Sequence, residues 1–436
     1  MATVTLLLFC LILTGCVLLR LSITYALAAG FIIFCLYARY CGFHLKEIAR
    51  MSFAGVRKVQ NILIIFLFIG MLTGVWRACG TIPVIVCFAS SLLVPQIFIL
   101  ATFLLNCFVS ILTGTAFGTV ATMGVICMTM ANTMQISPIL TGGAILSGIF
   151  FGDRCSPVST SALLVSELTQ TSIYTNIRLM IRTALVPFLI TCAIYTGAGI
   201  LSHTTLDTPD ITSLFSSEFS LHWLAILPAA IILLLSLFRT GVKKAMLASI
   251  LAASLLCIFL QNQNLGSLLS IYINGYHSTN PELSSIINGG GILSMVKVAI
   301  CVCLSSSYSG IFEATGLLDD IKNGIHKLSE KITVFGAILF TSLITGMIAC
   351  NQTLSIMLTN QLCKDLDEPA DVFAIDLENS AVVLAPLVPW SIAGAVPLAA
   401  VNAPVISIAF ACFLYILPVW SLITHSRQHH FKRSQR

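Results

Sequence analysis

The sequence predicts an all-α polytopic membrane protein built on two repeats, and three observations predict it. Charged residues make up 9% of the 436-residue chain, where a soluble domain carries about 25%. Mean hydropathy is +0.99, and apolar stretches long enough to cross a ~30 Å hydrocarbon core as helices of about 20 residues recur from Thr3 to Ile423. A window reading gives roughly 11 to 13 spans or partial spans. Third, one segment occurs twice. Leu112-Thr113-Gly114 precedes Ser156-Pro157-Val158-Ser159 at the same spacing at which Ile344-Thr345-Gly346 precedes Val388-Pro389-Trp390-Ser391, so the matches share one offset of 232 residues.

From the N-terminus, residues 1–60 read as membrane helices. Leu13-Thr14-Gly15-Cys16 looks like a lipoprotein cleavage box, but no Lys or Arg precedes the apolar run, so a first span is expected there rather than a signal. Residues 61–201 form repeat one, 202–289 an external loop and linking scaffold helices, 290–424 repeat two, and 425–436 a basic tail. Lys and Arg in short loops mark the cytoplasmic side. Arg39, Lys46, Arg50, Arg57 and Lys58 place one loop inside, as do Arg239, Lys243 and Lys244, then Lys322, Lys327 and Lys331, and finally the tail with Arg427, Lys432, Arg433 and Arg436. Both termini are therefore expected in the cytoplasm. The stretch from Ser202 to Ser220, with Asp207, Asp210 and Glu218 but no Lys or Arg, reads as outside.

Gly74-Val75-Trp76-Arg77-Ala78-Cys79-Gly80 is echoed by Gly310-Ile311-Phe312-Glu313-Ala314-Thr315-Gly316, at an offset of 236. The loop after Gly80 has no charge, whereas the stretch after Gly316 holds three Lys. One lies outside and the other inside, so the repeats are expected to be inverted in topology. Inverted repeats interrupted by Gly, Pro and polar residues mark a secondary transporter whose site lies at the bilayer midplane. Arg77 and Glu313, at equivalent positions, read either as a salt bridge between repeats or as anchors at span ends.

Composition also excludes classes. The 16 Cys are scattered through apolar spans with no CxxC pair, and the eight His lie in loops or near span ends, so neither a disulfide framework nor a zinc site is suggested. His425, His429 and His430 read as part of a basic tail. No HExxH or GxSxG occurs, which argues against a protease or lipase, and one asymmetric chain cannot supply a ring of channel filter residues. No organic cofactor motif is visible and no nucleic-acid partner is indicated; the expected partners are the lipid bilayer and a small ion or small molecule, with apolar faces that suit a homodimer.

Three segments can carry chemistry. In Gly114-Thr115-Ala116-Phe117-Gly118-Thr119, glycines and hydroxyls inside a span free backbone carbonyls and supply the oxygen ligands a dehydrated Na⁺ needs. The same Gly spacing, shared by Gly70/Gly74 and Gly148/Gly152, is also a helix-packing motif. In Gly152-Asp153-Arg154-Cys155-Ser156-Pro157-Val158-Ser159-Thr160-Ser161, an ionisable group stands beside a helix-breaking Ser-Pro; this is either an unwound cation site or a solvated loop at a span end. The third segment is Asn351-Gln352-Thr353-Leu354-Ser355, together with Asp376-Leu377-Glu378-Asn379-Ser380 and Pro386-Leu387-Val388-Pro389-Trp390. At the offset of 232, Asn351 aligns with Thr119 and Pro389 with Pro157.

With these residues in view, the chain resembles the NhaC-type sodium/proton antiporter family, from about Ile69 to about Asn402 excluding the linking spans. Gly-Asp-Arg-Cys-Ser-Pro-Val-Ser at 152–159 is similar to the family's Gly-Asp-Lys-x-Ser-Pro-x-Ser element, with Arg154 in place of Lys. Gly114-Thr115, Gly118-Thr119, Trp76, Gly80-Thr81-Ile82-Pro83, Asn351-Gln352, Ser355, Glu378 and Pro386-Leu387-Val388-Pro389-Trp390 add to the likeness. The resemblance implies interrupted helices and re-entrant hairpins, with alternating access by a transport domain moving against a scaffold. Two departures stand out: Thr160 where the family tends to have Asp, and Asn379 where it has the second of an acidic pair. Relatives in the broad family carry organic or amino acids.

The leading expectation is Na⁺(Li⁺)/H⁺ antiport across the cytoplasmic membrane, with Asp153 binding either Na⁺ or H⁺ and no cofactor beyond the transported ions. Burial favours the proton-bound form of a carboxyl near neutral pH; Arg154 opposes it, so its guanidinium is expected to point away. Thr115, Thr119, Ser156 and Asn351 are the expected neutral ligands, with Gln352, Ser355, Glu378 and Asn379 completing the site. The alternative is uptake or exchange of a small amino or organic acid, its carboxylate held by backbone amides of Ser156 and Asn379 at helix N-termini.

Overall fold

Apolar sequence without β-branched alternation, punctuated by Gly, Pro and capping hydroxyls, folds into helices throughout. The computed structural model describes residues 23–90, 94–157, 159–201, 215–238, 240–315, 332–349, 351–366 and 368–434, with isolated positions before Ile23. Among these the sole β feature is an isolated bridge between Tyr276 and Gly289. Six helices are long and apolar enough to cross a membrane, a seventh if one bent pair is a single span, and five shorter apolar helices accompany them.

In chain order the helices are α1 (Ile23–Tyr40), α2 (Leu45–Lys58), α3 (Gln60–Ala78), α4 (Thr81–Ser90), α5 (Pro95–Thr113), α6 (Ala116–Thr133), α7 (Pro138–Cys155), α8 (Thr160–Thr169) and α9 (Ile173–Leu201). They continue as α10 (Leu227–Leu237), α11 (Val242–Phe259), α12 (Leu265–Asn274), α13 (Pro281–Ile287), α14 (Ile292–Thr315), α15 (Val334–Ala349), α16 (Gln352–Cys363), α17 (Ala370–Asn379), α18 (Ala381–Leu384), α19 (Ile392–Ala400) and α20 (Cys412–Ser434). Helix α6 contains a π-turn at Val120–Gly124, and α18 runs on as a 3₁₀ turn to Leu387.

The basic segment expected as a loop between Arg39 and Lys58 is mostly helix α2. It is amphipathic: Lys46, Arg50 and Arg57 are exposed, while Gly55 meets the backbone of Ser306 and Gly310 meets that of Met51, seating α2 on α14. The Lys322, Lys327 and Lys331 loop, Gly316, most of the Ser202–Ser220 loop and the side chains of Glu313 and of the tail beyond His425 lie outside the described residues.

Glycine stripes do the close packing, as the packing reading of Gly148/Gly152 anticipates. A Cβ on Gly148 would stand 2.7 Å from Phe103 O, and one on Gly152 2.3 Å from Ser110 Cβ. The α5 and α7 backbones therefore approach closely enough for Ser110 Oγ to donate to Ile149 O at 2.6 Å. Gly70 and Gly74 receive the Gly290–Gly291 backbone in the same way.

The repeat relation has a structural counterpart. Helix α7 spans Pro138–Cys155, and the bent run α17–α18 with its 3₁₀ turn spans Ala370–Leu387, the same bounds displaced by 232 residues. Ser159 caps α8 and Ser391 caps α19, again 232 apart. These last two helices are exchanged between halves. Val165 of α8 packs with Ile338, Ile356 and Leu377, whereas Ile392 and Val396 of α19 pack in the large core with Phe103, Val120 and Ile145.

Candidate functional site

Two hairpins meet at their tips. Helix α5 ends where Gly114 adopts φ +63, a conformation that costs a side-chain-bearing residue but not glycine. Thr115 is then extended (φ −153, ψ 127), and its side chain accepts from the Gly118 N–H at 3.4 Å to cap α6. The chain doubles back, because Asn106 Nδ2 of α5 reaches Cys127 Sγ of α6 at 3.7 Å. In the second half, Asn351 follows α15, is extended at φ −149 and ψ 131, and caps α16 by accepting from Thr353 N–H at 2.9 Å. There Thr345 and Thr359 hydroxyls meet at 2.7 Å across the hairpin.

Thr115 is thus the structural counterpart of Asn351. The sequence alignment that pairs Asn351 with Thr119 is corrected by four residues, to the offset of 236 already present in the Gly74 and Gly310 elements. The two tips line one cavity of about 470 Å³, bounded by Thr113, Gly114 and Thr115 on one side and Asn351, Gln352 and Thr353 on the other. Thr160 of α8, Gly241 and Val242 at the start of α11, and Ile392 and Ala393 of α19 also line it, so five helices begin at its wall.

Asp153 stands immediately behind this wall, at the end of α7, with 5% of its surface exposed. It is not a wet loop residue. Ser159 Oγ donates to its Oδ1 at 3.1 Å and Ser161 Oγ to its Oδ2 at 2.9 Å. The backbone of Ala116, in the first turn of α6, lies beside the same carboxyl. One carboxylate therefore links the starts of α6 and α8, where the positive ends of both helices favour negative charge. Ser159 and Ser161 were visible only as members of a hydroxyl run. Which of the three hydroxyls faces Asp153 depends on Ser159 capping α8, which turns Thr160 outward to the cavity and Ser161 inward.

Arg154 does point away from that carboxylate, as its sequence context requires. Fully buried, it donates to Met180 O at 3.2 Å, Thr183 Oγ1 at 3.2 Å, Glu378 O at 3.3 Å and Asn379 Oδ1. A planar guanidinium with five donors can bridge three helices in this way; here it ties α7 to α9 and α17. The carboxylate of Glu378 is fully buried, neither oxygen has a hydrogen-bond partner, and it lies within electrostatic reach of both Arg154 and Asp153.

The remaining expected residues divide by position. Thr115, Asn351 and Gln352 face the cavity, Gln352 also donating to Val382 O at 2.9 Å. Thr119 lies one turn behind, its hydroxyl bonded to Thr115 O and Thr113 Oγ1, both at 2.9 Å, so it braces the tip rather than lining the cavity. Ser156 donates to Ile111 O at 2.7 Å and fastens the end of α7 to the first hairpin. Ser355 is buried inside the second hairpin, 3.3 Å from Thr345 Oγ1. Ser156 and Asn379 are not at helix N-termini: Ser156 follows the last turn of α7, and Asn379 ends α17 just before the break at Ser380 (φ −124, ψ −84). The helices that do begin at the cavity are α6, α8, α11, α16 and α19.

His425 is also relocated. Instead of belonging to a solvated tail, it places Nε2 3.3 Å from the fully buried Asp376 and stacks on Phe335 at 5.0 Å. Asp376 is two residues from Glu378, so α17 brings a second acid to the same region. The pairing was not legible because nothing local links residues 376 and 425.

Comparison with known proteins agrees with this architecture. The model of the Na+/H+ antiporter family matches residues 4–166 and 148–425. The chain is 28% identical over 401 residues to the Na(+)/H(+) antiporter NhaC of Bacillus subtilis (strain 168), covering 88% of each chain. It is 27% identical over 396 residues to the Malate-2H(+)/Na(+)-lactate antiporter of the same organism, covering 87% of this chain and 84% of that protein. To the Arginine/ornithine antiporter ArcD of Halobacterium salinarum it is 26% identical over 373 residues, covering 81% and 76%. With its matched segments running through nearly the whole length and through both hairpins, the chain belongs to the Na+/H+ antiporter family.

Proposed function

We infer that the protein is a secondary active transporter exchanging Na⁺ or Li⁺ for H⁺ across the cytoplasmic membrane, with Asp153 as the group that holds either ion. The observation that carries this reading is the setting of Asp153: a buried carboxylate, hydrogen-bonded by two hydroxyls, directly behind a cavity formed by two opposed hairpin tips. A carboxylate released from its hydroxyl donors can bind a cation; protonated, it cannot. Both states are useful only if they alternate, and alternation couples the two flows. Glu378, buried without a partner and within electrostatic reach of Asp153, supports a second proton- or cation-accepting position.

Exchange of α8 and α19 between halves supports inverted repeats, since each half then contributes a wall to the other's hairpin. Motion of a transport domain carrying the hairpins against a scaffold is the expected route of alternating access, and the exposed apolar faces of α9 and α11 suit a homodimer. The basic residues of α2 and the tail support a cytoplasmic position for both termini.

A second reading rests on cavity size. A volume of about 470 Å³ is far larger than one cation needs, and five helix starts favour a negatively charged group. Exchange of a small organic or amino acid against the same ions fits that volume, and the names of two relatives point the same way. Purified protein in sealed liposomes with an internal pH dye distinguishes the readings. Pulses of Na⁺ or Li⁺ that dissipate a preset pH gradient establish cation exchange, whereas a response only when an organic or amino acid is supplied with the cation assigns the second reading.

A further inference from the structure

Arg77 is unlike the other fully placed buried cation. Arg154 is surrounded by acceptors, whereas Arg77, 6% exposed in the last turn of α3, donates from Nη1 to Thr73 O of its own helix at 2.9 Å. Its Nε has no acceptor, and among the described residues no carboxylate pairs with it. A guanidinium at a span end ordinarily extends to the interface and stays hydrated. This one is folded inward.

It faces a second cavity of about 140 Å³, shared with Thr129 and Asn132 of α6, Asn288 ahead of α14, and Asn402 after α19. Both α6 and α19 begin at the larger cavity and end at this one. Over the nine residues of α19 the separation is roughly 14 Å, so the two cavities lie at opposite ends of that helix. Among the described residues no acidic side chain lines the smaller one, which argues against a cation. A guanidinium with no counter-charge among the described residues and three carboxamides able to donate are the groups that hold a halide or a carboxylate.

We propose that the Arg77 cavity is a binding site for a small monovalent anion, distinct from the cation site at Asp153 and opposite to it in charge preference. Its volume admits a halide with a few waters, each taking about 30 Å³, or a short monocarboxylate. The two sources, inorganic halide and organic acid, share this chemistry and are separated by experiment.

The full-length protein in detergent is titrated with choline chloride and, separately, with choline acetate, against choline morpholinoethanesulfonate, whose anion is too bulky for the cavity. Thermal unfolding midpoint and calorimetric heat are read together. A saturable rise with chloride, acetate or both is expected in the wild type and in Asp153→Asn, with apparent affinity at least tenfold weaker in Arg77→Gln. Asn132→Asp, which sets a carboxylate in the same cavity, keeps the charge balanced and should also remove the response while leaving the protein folded. Saturation by chloride alone assigns a halide site, by acetate alone a carboxylate site, and by both a general small-anion site. Absence of any saturable response in the wild type, or a response of undiminished affinity in Asn132→Asp, overturns the proposal.

Discussion

Thr115 and Asn351 hold the same backbone conformation, within a few degrees in φ and ψ, at the tips of two hairpins that face each other across one cavity. Each leaves a helix, extends for one residue and caps the next, so each fixes the direction of a helix that starts at the site. Removing either cap should cost about 0.5–2 kcal/mol. Thr115→Ala and Asn351→Ala are therefore expected to lower the unfolding midpoint modestly while reducing exchange more than their stability loss explains. Asn351→Asp and Thr115→Ser, which retain a capping oxygen, should preserve most of both. Equal exchange rates in the alanine and cap-preserving variants would remove the tips from the transport path.

Arg154 is expected to matter for assembly of the fold rather than for binding. Its removal takes the donor from the carbonyl of Glu378 and the side-chain amide oxygen of Asn379 in the interior, at about 3 kcal/mol for loss of a charged donor. Arg154→Met should reduce folded yield sharply; Arg154→Lys, which keeps the charge but not the fork, should fall between. Size-exclusion profiles of the three proteins at equal expression check the order.

Gly152 and Gly197 offer a matched pair. A methyl group on Gly152 meets Ser110 Cβ at 2.3 Å and Ile111 N at 2.6 Å, whereas nothing lies within 4 Å of one on Gly197. Gly152→Ala forces α5 and α7 apart at about 1–3 kcal/mol, displacing both Asp153 and the first hairpin tip. Gly197→Ala, near the C-terminal end of α9, should be neutral or slightly stabilising through helix propensity. Unfolding midpoints of the two single variants test the contrast.

Under the proposed exchange at Asp153, competition at one carboxylate fixes the sign of the pH effect. As pH falls, protons occupy Asp153 and the sodium concentration for half-maximal exchange must rise, approaching tenfold per pH unit once the carboxyl is mostly protonated, while the maximal rate at saturating sodium changes less. Initial rates over a sodium series at several pH values on the cation side give the slope. A half-maximal concentration independent of pH would mean that H⁺ and Na⁺ use separate groups.

His425 and Asp376 join α20 to α17 near the buried acids. His425→Ala leaves both Asp376 oxygens without a polar neighbour in a fully buried position, and is expected to lower thermal stability. His425→Gln, which retains a donor, should recover part of the loss. The midpoints of the two variants, measured with the wild type, check this order.

Much of this organisation is written locally. Asp153 beside Ser156-Pro157, the Gly114-Thr115 break and Asn351-Gln352 are each visible because an ionisable or helix-breaking residue interrupts an apolar run, and physics leaves few uses for such interruptions in a bilayer. What escapes the sequence depends on partners far away along it. Arg154 meets Asn379 across 225 positions, and the exchange of α8 with α19 is invisible because both are short apolar helices that would fit either core. The four-residue error at Asn351 has a similar origin. The offset of 232 holds from α7 onward, but the hairpin tips follow the offset of 236, so an alignment anchored on Ser-Pro slides past the cap.

The most direct test of the central claim is proton release on sodium binding. Purified protein in weakly buffered solution with a pH indicator is given a saturating pulse of NaCl, in the wild type, Asp153→Asn and Glu378→Gln. The account predicts that the wild type releases protons on binding sodium, that Asp153→Asn releases none while remaining folded, and that Glu378→Gln retains part of the release. Undiminished release from Asp153→Asn would contradict it and move the exchanging carboxyl elsewhere in the protein.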